Sequence, residues 1–401
     1  MTYEKNGAAK PSFSSLLKIR REDTRSAWLP ITAPSTDLLL LISVIILALF
    51  GTTMVFSAGY AYASARYGDA WYFIKRQTVW LFLGLLTMLV ASHIKPSFFK
   101  AIAPSLYITT LILLILVLII GFVGNGAKRW ISIGPITLQP SEIAKLTMVL
   151  MLARYFSEFE EQALDKRNKK NSFLYGTLFP VLIMLAVIVS VMLQKHLSCI
   201  IILGLIGILV ILAAGINAKY ISLCTALGAS GVAALALFTD YTKERITVWQ
   251  NPEAYKLTGG WQTLQGLMAI GSGGIFGLGL GNSLLKYSYV SEPANDMIFA
   301  ILCEELGLLG AVFTVFLFAV LIFRGYTVAL RSADVFSRIT AFGITTKIAV
   351  QTLLNIAVVT NTIPNTGISL PFFSYGGSSL VMLFFEMGLL LSISRFAKIQ
   401  K

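Results

Sequence analysis

Ten stretches of mostly apolar residues run through this chain, at about 37–58, 77–94, 104–124, 141–156, 174–193, 198–214, 220–238, 298–323, 337–360 and 379–396. A bilayer crossing needs ~20 such residues. Inside hydrocarbon the backbone has no water to bond, so each run must close its own hydrogen bonds as a helix. The expectation is an all-α polytopic membrane protein with about ten transmembrane helices. Charged residues are 13% of the 401 and apolar ones 56%, where soluble domains average ~25% charged. That balance excludes a soluble enzyme and a disordered chain. The fourth run is the weakest, being short and carrying Glu142 and Lys145.

The chain then divides into a basic tail (1–36), a single membrane domain (37–396) and a short tail (397–401), with one long loop, 239–297, between spans seven and eight. The net charge of +13 would suggest nucleic acid in a soluble chain. In a membrane protein its placement matters more than its sum, and no nucleic-acid partner is expected. With the N-terminus in the cytoplasm, inside segments hold twenty Lys and Arg and outside loops ten, Lys145 and Lys347 lying within helices. The excess predicts both termini in the cytoplasm, Glu158–Asn171 as a solvated cytoplasmic loop and 239–297 outside. The run Lys18–Arg25 reads as a surface tail near anionic lipid. No cleavable signal peptide is expected, the first 36 residues being polar and basic. Cys199, Cys224 and Cys303 are scattered through apolar stretches and predict neither a metal site nor a disulfide.

Charged and polar groups at membrane depth are costly and mark function; here they fall in four clusters. The first is Gly126–Ile131, with Lys128, Arg129 and Trp130, followed by Leu138–Lys145, with Gln139. Pro140 and Ser141 predict a helix start with Ser141 as cap. Glu142 and Lys145, three residues apart, share a face and can pair. An interfacial helix anchored by Trp130 and a functional cluster both fit. The second cluster holds Glu244-Arg245, then Gly259–Gln262, then a glycine-dense run from Gly266 to Gly281. No strand precedes that run, so it is read as close backbone packing or a re-entrant segment rather than a phosphate loop.

The third cluster ends Ser291–Asp296, and Met297 opens an apolar helix carrying Glu304 and Glu305. Asp296 can be a helix cap or a catalytic carboxylate. Glu304 lies ~12 Å deeper by helical rise, and Lys347 is the cation available to it. The fourth, Pro364–Ser379, is too rich in Pro, Gly and Ser for a regular helix; it is a tight connection or, with Ser378, the lining of a polar cavity.

Taken in order, Gly126–Ile131, Gln139–Lys145, Gln194–Ser198, Gly271–Gly281, Asp296–Gly307 and Ile368–Ser379 resemble the motifs of the SEDS family (shape, elongation, division and sporulation). Asn355-Ile356-Ala357-Val358-Val359-Thr360 leans toward the FtsW/SpoVE branch over RodA. The chain departs from the family at Gln194–Ser198, with Lys195 where proline is common and His196 where aspartate is frequent. Asn295 and Met297, flanking the aspartate, are also variations.

The resemblance implies a peptidoglycan glycosyltransferase of the bacterial cytoplasmic membrane. It would polymerise lipid II on the outer face for division, sporulation or shape, beside a class B penicillin-binding protein and the division or elongation machinery. Asp296 takes the family's catalytic position. Lys128, Arg129, Trp130, Gln139, Glu142, Lys145, Arg245, Gln262 and Ser378 are the substrate-binding candidates. Glu304, Glu305 and Lys347 are polar groups within the membrane. The donor sugar is α-linked to pyrophosphate and the product is β-1,4, so transfer inverts and needs one base. The pyrophosphate leaving group needs positive charge, from Lys128, Arg129, Lys145 and Arg245 or from a divalent cation, Mg or Mn, with no metal ligand assigned. The competing class is a transporter that flips lipid II, which should carry its polar site near the midplane; Glu304 and Lys347 are its supporting features. A non-catalytic scaffold for division enzymes is the third.

Overall fold

The computed structural model describes residues 36–124, 127–134, 136–165, 167–216, 222, 240–287 and 293–399. The basic tail, Gly126, Ser291–Glu292, Cys224 and the expected seventh span at 220–238 (Ser222 apart) lie outside the described residues. Helix α1 (Leu38–Tyr67) starts on Asp37, whose carboxylate accepts Leu40 N at 3.1 Å, and stops on Gly68 at φ +67°. Then come α2 (Tyr72–His93) and α3 (Pro96–Ile120). After them are α4 (Pro140–Ala163), α5 (Lys169–Met192, with a π-turn at Leu174–Leu178) and α6 (Leu197–Ala213). Further along the chain follow α7 (Asp240–Gln250), α8 (Trp261–Ser272), α9 (Ile298–Arg331), α10 (Val335–Val359) and α11 (Gly377–Ile399).

Among the described residues seven helices are long and apolar enough to cross a membrane: α1, α2, α3, α5, α9, α10 and α11 up to Phe396. The protein is a multi-pass helical membrane protein. The sixth expected run is the shorter apolar helix α6. The fourth is α4, longer than 141–156 and too polar to qualify by hydropathy. It is buried along most of its length and packs against α3, α5, α6 and α10. A helix enclosed by protein rather than lipid need not be apolar, which is how Glu142, Lys145 and Arg154 are accommodated.

The link between α3 and α4 is a departure from the all-α expectation. Phe122–Gly124 (β1), Ala127–Ile133 (β2) and Ile136–Leu138 (β3) form a three-stranded antiparallel sheet, with Phe122 opposite Trp130 and Ile131 opposite Leu138. Gly121, Gly124 and Pro140 interrupt any helix here, and Gly134 at φ +62° turns the β2–β3 hairpin. Open sheet edges do not survive in hydrocarbon, so this sheet marks one end of the bundle.

Helix α9 is broken at Gly307 (φ +65°, ψ −163°). The break frees the carbonyls of Glu304 and Glu305 and the N–H groups of Leu308 and Leu309. The glycine run takes up all four: Leu278 N donates to Glu304 O (3.0 Å), Gly279 N to Glu305 O (2.9 Å), Leu308 N to Gly274 O (2.9 Å) and Leu309 N to Ile275 O (3.2 Å). A Cβ at Gly277 would run into the Glu305 backbone, and one at Gly307 into that of Ile275 and Gly277. Both positions also need positive φ. The run folds back against α9 by close backbone approach, as its small residues imply.

Candidate functional site

Alternating helix directions bring the α3–α4 sheet and the α5–α6 turn to one end of the bundle, and hydrogen bonds at Ser198, Arg245, Gln262 and Asp296 place the α10–α11 loop, α7–α8 and the turn before α9 there too. Asp296 lies there, half-buried, in the turn 293–297. The N-cap of α9 is Met297, which makes no side-chain cap bond, so the cap position does not belong to the aspartate. Its carboxylate faces the α10–α11 loop, where a Cβ on Gly367 (φ +63°) would stand 3.0 Å from Oδ2. The turn itself is held through successive carbonyls: Tyr375 N donates to Ala294 O (2.8 Å), Ser374 Oγ to Asn295 O (2.9 Å) and Asn355 Nδ2 to Asp296 O (3.0 Å).

Beside this loop is a cavity of about 260 Å³ lined by Glu244, Arg245, Trp249, Gln262, Thr263 and Asn365, among others. Small-molecule sites begin at ~300 Å³. Arg245 donates to Asn365 O, Asn365 Nδ2 to Gln262 Oε1 (3.2 Å), and Gly367 N to Asn365 Oδ1 (3.2 Å). Asn365 thus joins the cavity wall to the glycine facing Asp296. Trp249 is fixed by Nε1 donating to Asn361 O (2.9 Å). The structure therefore brings Asp296, Arg245 and Gln262 into one neighbourhood, with Asn365 and Gly367 as connectors the sequence did not single out.

Lys128 is exposed on the sheet and its Nζ reaches Leu118 O (3.3 Å), while Arg129 donates to Lys195 O and ties the sheet to the α5–α6 turn. Trp130 is half-buried beside them. In that turn His196 is half-buried; desolvation of the ring, with Arg129 and Lys145 nearby, pushes it down to about 3. The imidazole is neutral at physiological pH. Ser198 Oγ donates to Thr366 O, fastening the turn to the same loop.

A second polar group lies inside the bundle. Lys145 pairs with Glu142 at 2.8 Å, both nearly inaccessible, and lies 3.4 Å from Gln351 Oε1. That pairing was expected; the capping was not met. Gln139, not Ser141, takes the N-cap of α4, with Pro140 at the first helical position and no side-chain cap bond. Lys145 is turned inward and matched by Glu142. A cavity of about 20 Å³, lined by Glu142, Lys347, Gln351, Ser369, Ser374 and Ser379 among others, has room for about one water. Ser378 is buried at the start of α11, and its Oγ has no hydrogen-bond partner among the described residues.

Lys347, the cation available to Glu304, is engaged elsewhere. Lys347 Nζ donates to both oxygens of Glu386, at 2.7 and 2.8 Å. Glu304 instead accepts Ser283 Oγ, Leu284 N (2.9 Å) and Leu285 N (3.3 Å). Glu305 binds Lys286 Nζ (2.9 Å) and Ser57 Oγ (2.6 Å). The segment just after the folded-back glycine run delivers these donors, Ser57 of α1 apart, which separation along α9 could not reveal. Glu386, a lone carboxylate in an apolar run, carried the same signal as Lys347 and identifies its partner. Among the described residues, no three His, Cys, Asp or Glu groups converge as a metal site.

Residues 37–399 match the family model described as cell cycle protein, FtsW/RodA/SpoVE. The chain is 38% identical to stage V sporulation protein E of Bacillus subtilis (strain 168), over 91% of this chain and 98% of that one. It is 36% identical to a probable peptidoglycan glycosyltransferase FtsW of Geobacter metallireducens, over 89% of this chain and 94% of the relative. Among solved structures it is similar to a chain from "Structural coordination of polymerization and crosslinking by a peptidoglycan synthase complex", with TM-score 0.75 and 26% identity over 90% of this chain and 98% of that one. It is also similar to the rod shape determining protein RodA of Thermus thermophilus, with TM-score 0.66 and 27% identity over 90% and 97%.

Proposed function

The chain belongs to the FtsW/RodA/SpoVE family of cell cycle proteins and is a peptidoglycan glycosyltransferase, and from that premise we propose that it polymerises lipid II by inverting transfer with Asp296 as the base. The observation that carries the reading is the placement of Asp296, facing Gly367 and one loop away from the cavity that Arg245 lines. In the proposed step, Asp296 takes the proton of the acceptor sugar hydroxyl as that oxygen attacks the donor's anomeric carbon from the face opposite the pyrophosphate. The glycosidic bond forms as the bond to pyrophosphate breaks.

The leaving group is already stable and needs positive charge rather than an acid. Arg245, at the cavity, and Lys128 and Arg129, on the sheet, supply it. Gln262 and Trp130 belong to the same proposed lining, Trp130 beside the polyprenyl chain. A divalent cation, Mg or Mn, would arrive on the pyrophosphate and take most of its ligands from phosphate and water. The end of the bundle carrying the sheet and Asp296 faces outward and both termini face the cytoplasm. There a lipid-anchored sugar can meet the aspartate, and a class B penicillin-binding protein can crosslink the product.

The test is reconstitution. The purified protein with its cognate class B partner should convert lipid II into glycan strands separable by gel. Transfer of intact lipid II between leaflets without polymer would overturn the proposal in favour of a flippase.

A further inference from the structure

Asn355 is fully buried in α10, and its amide nitrogen makes two bonds at once, to Asp296 O (3.0 Å) and to Ile368 O (2.6 Å). Both partners are carbonyls, so the nitrogen must face them and the orientation of the amide is fixed. Ile368 follows Gly367, the residue packed on the Asp296 carboxylate. A single NH2 group thereby joins the backbone of the aspartate to the loop that its side chain faces. No side chain of similar size offers two donors from one atom: Ser and Thr bring one, and Leu, Val and ionised Asp bring none. Ser374 and Tyr375 hold the two preceding carbonyls from the same loop, and Asn355 reaches in from a third element.

We propose that Asn355 is a positioning residue for glycosyl transfer, setting the distance between the Asp296 carboxylate and the loop across which the acceptor hydroxyl is presented. The inference rests on Asp296 being the base. It acts entirely through backbone, so its loss displaces the carboxylate without removing a group that touches substrate.

The experiment compares Asn355→Ala and Asn355→Ser with Asp296→Asn and Tyr107→Phe, each purified with the class B partner and normalised to folded protein. Tyr107→Phe deletes a buried bond of the same kind, to Ile183 O at 2.6 Å between α3 and α5, and serves as the stability control. A displacement of about 1 Å costs on the order of 100-fold in rate. Asn355→Ala should therefore lower kcat by about that factor with KM for lipid II within about threefold, and move the acid limb of the kcat/KM profile. Asn355→Ser, keeping one donor, should fall between and serves alone if the Ala variant does not purify. Tyr107→Phe should lower the melting temperature and leave kcat and the pH profile unchanged. Wild-type kcat and pH profile in the Asn355 variants, with Asp296→Asn inactive, would overturn the positioning role and leave the base assignment standing. Near wild-type polymerisation by Asp296→Asn would sink the base assignment and this inference with it.

Discussion

Replacing Lys347 by methionine should destabilise the bundle far more than any surface charge change. Lys347 and Glu386 are 4% and 0% exposed at their side chains, and both carboxylate oxygens accept from the one ammonium, at 2.7 and 2.8 Å. Removing the cation strands a carboxylate inside the protein, which costs about 3–5 kcal/mol. At about 2 °C per kcal/mol for a long chain, the melting temperature should fall by roughly 6–10 °C. The double variant Lys347→Met/Glu386→Met removes both charges and should melt within about 2 °C of wild type, since a buried pair and an apolar pair of similar volume are nearly equivalent. The contrast is Lys75→Ala, which breaks a pair with Asp69 at 2.9 Å between side chains 66% and 40% exposed; exposed pairs contribute little, and the shift should be under about 1 °C. The assay is thermal unfolding of detergent-purified protein. A Lys347→Met variant as stable as wild type, or a double variant worse than the single, would refute the reasoning.

Asp296→Asn should cut polymerisation by about 100-fold or more while leaving melting nearly unchanged, because the N-cap of α9 is Met297; gel analysis of lipid II products alongside a melting curve checks both halves. Gly367→Ala puts a methyl 3.0 Å from Asp296 Oδ2 at φ +63°; it should cost about 1–2 kcal/mol of stability and most of the polymerase activity, measured in the same assays. His196 is held down to about 3 in the fold against ~6.5 in the unfolded chain. Below pH ~6.5 the unfolded state therefore gains a proton that the folded state does not, and stability falls as the pH drops toward 3. Melting between pH 7 and pH 4.5 should drop more for wild type than for His196→Gln. Lys169→Cys, in the exposed segment at the start of α5, should resist an impermeant thiol reagent in intact cells and react after lysis; labelling in intact cells would reverse the orientation.

The spans were legible wherever lipid is their solvent, because hydrocarbon demands an unbroken apolar run and the sequence must display it. Legibility fails where protein replaces lipid. Helix α4 extends beyond its apolar run because Glu158 and Glu160 dilute its apolar character, yet it packs against α3, α5, α6, α10 and α11. The sheet at 122–138 was not legible: its first strand falls in the apolar run 104–124, and the residues around Trp130 fitted an interfacial helix as well. Within the site, the gathering of Arg245, Gln262 and Asp296 at one end follows from counting spans. The partners of Glu304 and Lys347 do not, since they depend on how the glycine run folds back and on the rotation of α11 about its axis. Asn355, noticed in the sequence as a branch marker, gave no hint of two bonds to backbone far along the chain.

The sheet also supplies a ruler. If hydrocarbon ends where its open edges begin, the far boundary lies ~30 Å away, or about twenty residues of helix. Counting back from Ile120 along α3 reaches Lys100, whose carbonyl receives Arg154. Counting forward from Pro140 along α4 reaches Glu160, and back from Val359 along α10 reaches Ile339, beside Arg338. Glu160 and Arg338 pair with each other at 3.1 Å. Three helices thus carry charged residues about twenty residues from the sheet end, which matches a hydrocarbon core of about 30 Å. A thicker bilayer must tilt the bundle or draw the sheet into the lipid, and a thinner one must pinch around it. Acyl-chain length therefore bears on Arg129 and the turn it fastens as directly as any substitution.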